Sequence, residues 1–281
     1  MNKKLNIIVM ANHKGGVTKT TSTLILGSLF ATDSHKKIYK PYHKRTGSKT
    51  LLIDLDSQGN LTHSVLTEEQ RKNIKGGPFE AIHSGDATPY IIQSEVYENL
   101  YILPSTPSIS KFDSYFGKYL EEIEGNEKLL ENSLLKAVEL FGFENILIDS
   151  APSSSELLRQ ALSVSVGGNN TNVILPFTPN SYGWESLMQS ANTLNSMGQN
   201  ENPNLRIMCL LPVLLRKGET DHQEFIQRAK NDFGDLVSDV TIFNRVELEK
   251  FSKTGFTEQY STHRKALEMY YNLFKNIKEV L

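Results

Sequence analysis

Short apolar runs alternate with longer helical stretches along this chain, and few folds accept that order. "LNIIVMA" (5–11), "TLLIDLD" (50–56), "NLYILPS" (99–105), "NILIDSA" (145–151), "NVILPFT" (172–178), "RIMCLLPVLL" (206–215) and "SDVTIF" (238–243) read as strands. Several are apolar on both faces, which suits parallel strands covered by helices on each side. Residues 19–32, 127–142, 153–164, 181–198 and 219–233 carry helical spacing between them. The alternation predicts an α/β fold, a doubly wound and mostly parallel sheet with helices on both faces. In such a fold, ligands bind outside the carboxyl ends of the strands. With no internal repeat and no long linker in 281 residues, a single domain over 1–281 is expected.

Composition removes several classes. A net charge of −2, from 30 basic and 32 acidic side chains, leaves no global field for nucleic acid, so any basic surface must be local. The single cysteine, Cys209, rules out a disulfide framework and a four-cysteine zinc or iron–sulfur site within one chain. It lies in the most hydrophobic run, which is far too short to span a membrane. The N-terminal stretch has a basic start but no small-residue cleavage site and runs directly into a glycine loop. A cytoplasmic protein without a signal peptide is therefore expected.

That loop, "NHKGGVTKTT" (12–21), departs from the usual phosphate-binding pattern G-x-x-x-x-G-K-[ST]. Lys19 and Thr20 fill the last two places, but Thr18 precedes the lysine and His13 stands at the first glycine place. Gly15 and Gly16 lie inside the loop, directly after a second lysine, Lys14. The loop follows a predicted strand and opens a predicted helix, the context a phosphate loop requires. Glycines let backbone N–H groups approach phosphate oxygens, and the helix aims its positive end there. Lys19 would then contact the β- and γ-phosphates of a nucleotide and the Thr20 hydroxyl would ligate Mg²⁺. Since a β-branched residue tolerates positive φ poorly, Thr18 is expected at negative φ.

Two further segments add carboxylates. "LLIDLDSQGN" (51–60) places Asp54 and Asp56 at the carboxyl end of the second strand, pointing the same way by strand alternation. Such a pair suits one metal-water contact and one water-positioning role. "ILIDSAPS" (146–153) ends another strand with Asp149, a candidate Mg²⁺-side carboxylate. Alone, each acid would read as a helix cap.

The three segments, in order, resemble the deviant Walker A ATPases of the ParA/Soj/MinD family, a branch of the P-loop NTPases. The family loop K-G-G-x-x-K-[ST] matches "KGGVTKT", and the second motif matches "DLDSQGN", with Ser57 where proline is usual. The third motif, D-x-P-P, is "DSAPS" here, with Ala151 in the first proline place. The later segments 205–239 and 242–257 also look like the ParA carboxyl half, so the resemblance covers nearly the whole chain. It implies ATP and Mg²⁺ as ligands, and a homodimer that sandwiches two nucleotides. It further implies non-specific DNA binding on the nucleoid, and slow hydrolysis stimulated by a ParB-like centromere-binding partner. Plasmid or chromosome segregation follows.

The residue roles carry over by position. Lys14 is the signature lysine that reaches the partner subunit's ATP. Gly15, Gly16, Val17, Thr18, Lys19, Thr20 and Thr21 hold the nucleotide, with Lys19 and Thr20 on phosphate and Mg²⁺. Asp56 supports hydrolysis, Asp54 and Asp149 lie on the metal side, and Pro212 falls where backbone lines the adenine. Glu247 replaces a basic residue near the family's DNA surface, and Arg216, Lys217, Arg245, Lys250 and Lys253 are expected to supply that charge instead.

Other branches fit less well. The nitrogenase-iron-protein type needs bridging cysteines. A MinD type needs a membrane-targeting amphipathic helix at the C-terminus. "HRKALEMYYNLFKNIKEVL" is amphipathic, but its stripe suits packing on its own domain, and Glu268 and Glu279 disfavour anionic lipid. The loop begins at Lys14, which leaves no room before it for the helix-turn-helix domain of the longest ParA relatives. An ATP-dependent switch or adaptor for another cargo, with little DNA binding, remains the alternative.

The connection at 33–49 is about three times the usual length for such units. It carries Lys36, Lys37, Lys40, Lys44, Arg45 and Lys49, with Tyr39 and Tyr42 among them. A solvated loop and an auxiliary DNA surface are equally consistent with that composition. Each phosphate contact contributes about 0.9 to the salt slope of DNA binding. If the insert touches DNA, neutralising Lys36, Lys37, Lys40, Lys44 and Arg45 flattens that slope while the preference for ATP over ADP survives. A DNA titration across a salt series checks this, and an unchanged slope returns the segment to a solvated loop.

Overall fold

The computed structural model describes residues 4–33, 47–119, 128–151, 156–216, 220–245, 247–248 and 261–281. Its strands are β1 (Asn6–Met10), β2 (Thr50–Asp54), β3 (Ile92–Gln93), β4 (Leu100–Leu103), β5 (Asn145–Asp149), β6 (Thr171–Phe177), β7 (Leu205–Leu215) and β8 (Ile242–Phe243). They form one eight-stranded sheet in the order β3-β4-β2-β5-β1-β6-β7-β8. Every neighbouring pair is parallel except β3 with β4, an antiparallel edge absent from the sequence reading. The last expected strand shrinks to Ile242–Phe243, with a lone bridge from Val237 to Leu210.

The helices used below are α1 (Lys19–Thr32), α2 (Asn60–Val65), α3 (Glu68–Lys72), α4 (Pro78–Ser84), α5 (Phe112–Tyr119), α6 (Leu129–Phe141), α7 (Glu156–Ser163), α8 (Ser181–Asn200), α9 (Thr220–Phe233) and α10 (Ser261–Val280). Alternation along the strands divides the core in two. Ile7, Val9, Leu51, Ile53, Ile146 and Ile148 pack on one face beneath α4, α6, α7 and α8. Ile8, Met10, Leu52 and Leu147 pack on the other, beneath α1 and α10. Both faces are buried, which is why these strands carry no polar alternation.

α1 lies close to the sheet because Gly27 has no Cβ: one built there would meet Leu52 Cδ2 at 2.5 Å. α10 then covers α1. Ala266, Leu267, Tyr270, Leu273, Phe274 and Ile277 are all buried, and the Phe30 and Phe274 rings meet edge-on at 5.0 Å. Glu268 and Glu279 face outward. The apolar stripe of the C-terminal helix is therefore spent on its own core. Among the described residues, no helix is long and apolar enough to cross a membrane.

Because Leu267 is completely buried, Leu267→Ala should destabilise the protein by about 2–5 kcal/mol. Glu268→Ala, one position on and exposed, should stay within about 0.5 kcal/mol of the parent. Urea unfolding of the two variants checks this; equal effects would place α10 off the core.

Candidate functional site

The parallel register brings three strand ends into one row. Met10 of β1 pairs with Asp149 of β5, and Asp149 pairs with Asp54 of β2. Both acids follow residues that face the α4–α8 side, so by alternation both point to the α1 side. Asp54 is fully buried and Asp149 almost so. Asp54 is well satisfied: Oδ2 accepts from the Thr62 amide (2.8 Å) and hydroxyl (2.7 Å), and Oδ1 from the Asp56 amide (3.2 Å). Asp149 is not, for among the described residues neither carboxyl oxygen has a hydrogen-bond partner of good geometry.

Burial pushes Asp54 up to about 6, against the pull of Thr62. Burial and then the Asp54 charge beside it raise Asp149 well above the carboxylate range, while the Thr20 hydroxyl and Lys19 draw it down. The two carboxyls titrate as a pair, not as independent sites.

Between Met10 and Lys19 the chain makes its loop. Asn12 anchors it: its Nδ2 donates to the Pro176 carbonyl (2.7 Å), and its Oδ1 accepts from the Lys14 amide (2.7 Å) and the Ser186 hydroxyl (2.5 Å). His13 is held against α8, its amide donating to Ser190 Oγ (3.3 Å) and its Nε2 lying 3.2 Å from Thr193 Oγ1. Gly16 turns the loop at φ +73, where a side chain would be strained. Lys19 closes it, its Nζ donating to the Asn12 (3.1 Å) and Lys14 (3.0 Å) carbonyls. Burial lowers the Lys19 pKa, and the charges of Asp149 and then Asp56 raise it.

Thr18 corrects an expectation. It lies at φ 60, ψ 18, in the left-handed region, not at negative φ. The residue is the N-cap of α1, and its carbonyl accepts from the Ser22 amide (2.8 Å), so it must turn the loop and start the helix at once. Only glycine adopts that backbone freely, and a threonine there costs about 1–2 kcal/mol.

Above the loop is an open cleft of about 560 Å³, lined by Gly15 to Thr21 on one side and by Asp56 and Asn60 on another. Leu214, Asn244, Arg245 and Leu248 form the remaining wall. Lys14 stands outside this lining, with Nζ 5.9 Å from the centroid of the exposed Tyr182 ring. Asp54 and Asp149 lie beneath the cleft, and Asp56 reaches it, with Oδ1 accepting from the Gln58 amide (3.0 Å).

Pro212 is buried in β7 opposite Phe177 and does not line the cleft; Leu214, two residues on and itself at φ 60 beside a register shift, does. Arg245, grouped by sequence with the DNA-facing cations, belongs to the cleft wall, and its buried Nε has no hydrogen-bond partner among the described residues. Arg216 is exposed at the end of β7. Lys217, Lys250 and Lys253, and 34–46 of the basic insert, lie outside the described residues. Sequence reasoning missed Asn12, Ser186, Thr62 and Asn244. The glycines and lysines of the loop carry a pattern, whereas their distant anchors carry none.

Among the described residues no three His, Cys, Asp or Glu side chains gather into a metal cage. The donor set beside Lys19 instead fits Mg²⁺ in its usual manner, with one or two carboxylates and a hydroxyl beside substrate phosphates and waters. The unpartnered Asp149 oxygens and the nearby Thr20 hydroxyl are the residues that would hold it.

Residues 5–207 match the family described as AAA domain, nearly three-quarters of the chain. The chain belongs to this family, as a P-loop ATPase of the ParA/MinD type. It is 26% identical to the sporulation initiation inhibitor protein Soj of Bacillus subtilis over 96% of this chain and 97% of that one. It is 27% identical to the chromosome-partitioning ATPase Soj of Thermus thermophilus over 90% and 87%. In structure it is similar to a putative plasmid partition protein from Borrelia burgdorferi bound to AMPPNP, with a TM-score of 0.75 and 24% identity over 99% and 100% of the two chains.

A folded-state pKa raised above the ordinary value adds stability that is full at low pH and lost as pH rises. For Asp54 that loss runs from about 4 through about 6. Asp149 shifts in the same direction. Without metal or nucleotide, Asp149→Asn should therefore be more stable than the parent at pH 8, with much less gain at pH 4. It should also lose the stabilisation that Mg²⁺ with ATP gives the parent. Urea titrations at the two pH values, with EDTA or with Mg²⁺ and ATP, read both effects.

Proposed function

We propose that this chain is a partition ATPase that forms an ATP-sandwich homodimer, binds DNA without sequence preference and is released when a ParB-like partner stimulates slow hydrolysis. The chain would act as a single domain over 1–281, in the cytoplasm and on the nucleoid, segregating a plasmid or chromosome. The observation that carries this reading is the separation of the two loop lysines. Lys19 is buried and bound to its own loop, whereas Lys14 projects outside the cleft beside the exposed Tyr182. A lysine so placed has little to do for its own nucleotide and is free to serve one across an interface. The names of the Thermus relative and of the Borrelia protein point to the same role.

In the cleft, the loop amides and Lys19 would hold the β- and γ-phosphates, with Thr20, Asp54 and Asp149 toward Mg²⁺. When bound, Mg²⁺ offsets phosphate charge. Asp56 would orient water toward the γ-phosphorus. The water oxygen bonds to phosphorus, the bond to the β-γ bridging oxygen breaks, and the water proton leaves with inorganic phosphate. Leu214 and Leu248 would flank the base, with Arg245 serving the nucleotide. Arg216, Lys217, Lys250 and Lys253 would then face DNA, the insert at 33–49 being auxiliary.

Light scattering should show a dimer with ATP and a monomer with ADP or no nucleotide. Lys14→Ala should stay monomeric yet bind nucleotide through Lys19. Asp56→Ala should dimerise on ATP and remain on DNA while phosphate release falls by about 100-fold. A dimer that ignores nucleotide, or one that persists in Lys14→Ala, would overturn the sandwich. Dimerisation on ATP without DNA binding would favour the switch or adaptor.

A further inference from the structure

The left-handed Thr18 raises a question that the nucleotide site alone does not answer. A β-branched residue holds such a backbone only where its surroundings over-determine it. Backbone hydrogen bonding explains why the turn is there, and not why a threonine is kept in it. The Thr18 hydroxyl is the one polar group that glycine would lack. It lies 3.4 Å from Ser22 Oγ, one helical turn on, and Ser22 Oγ lies 3.0 Å from the hydroxyl of Tyr270.

Each member of this chain is constrained. Ser22 and Tyr270 are fully buried, so their hydroxyls must find partners within the protein. A helical serine usually returns its hydroxyl to the carbonyl four residues back. Here Ser22 turns to the hydroxyls of Thr18 and Tyr270. The Tyr270 ring is held by the stripe of α10 that packs on α1, within the same core as Val17, Ile25 and Leu29. The phenol stays neutral, since burial pushes it up to about 12, so it remains a donor at ordinary pH. Thr18 itself lines the cleft between Val17 and Lys19.

We propose that Tyr270 is a positioning residue for the nucleotide loop: through Ser22 it holds Thr18 in its left-handed conformation, so that the C-terminal helix sets nucleotide affinity. The nucleotide half of this statement rests on the ATPase reading; the loop half does not. The polar chain replaces what glycine would supply by conformational freedom. It also ties the last helix to Ser22 of α1 across 248 positions of sequence, and through Ser22 to the loop.

The test is a double-mutant cycle of Tyr270→Phe and Thr18→Gly, read in two ways. The first is amide hydrogen exchange of the nucleotide-free protein at 17–23, where the Ser22 amide reports the Thr18 carbonyl. The second is the Kd for AMPPNP. Tyr270→Phe should speed exchange at Ser22 and weaken AMPPNP binding by about 5–10-fold, the worth of one buried hydrogen bond. With Thr18→Gly already present, the same change should alter neither, because no hydroxyl remains to be held. Ser22→Ala should behave like Tyr270→Phe, and it stands in if the latter does not fold. Equal effects in both backgrounds, or a lower Tm with exchange and affinity untouched, would make Tyr270 purely a packing residue and overturn the proposal. If the parent binds no nucleotide, the ATPase reading falls, and the exchange cycle still decides whether Tyr270 holds the loop.

Discussion

Lys19 keeps 7% of its surface exposed, and its ammonium is gripped by the Asn12 and Lys14 carbonyls while the buried Asp149 and half-buried Asp56 carboxyls stand nearby. A cation taken out of water needs that compensation, or it would surrender its proton. The carboxylates have the converse need. Among the described residues Asp149 has no hydrogen-bond donor of good geometry, so the Lys19 charge is what offsets its own. The site is therefore held in tension without its ligand, with burial pulling against charge on both sides.

The sheet produces that arrangement. Parallel strands in register put residues of one row side by side, so Asp54 and Asp149 are neighbours because β2 and β5 are neighbours. The same alternation turns them toward α1, whose first residue is Lys19. The helix that carries the cation is pressed onto the sheet through Gly27 and covered by α10. Packing on that face and chemistry at its end are thus parts of one layer.

Much of this was legible in the chain itself. β1, β2, β5, β6 and β7 fall on the apolar runs, and α1, α6, α8 and α9 fall on the helical spacing. The loop was legible because its glycines and lysines are local chemistry. The amphipathic stripe at 266–277 was legible as a core face, and it is one. The antiparallel β3 and the short helices α2–α5 were not, because two- to eight-residue elements have no period to detect.

Thr18 shows where such reading ends. Its intrinsic preference argued for negative φ, and the preference is real; the need to turn a loop and begin a helix at one residue overrode it. Arg245 was legible as a cation, but only the fold turned it into a cleft wall. The sequence by itself determined the layered α/β order and the phosphate loop, since hydrophobic period and glycine–lysine spacing are local properties. The tertiary structure alone decided that two acids nearly a hundred positions apart share one buried row, and that a tyrosine of the last helix meets a serine of the first. Those contacts depend on strand order and helix stacking, which no local pattern encodes.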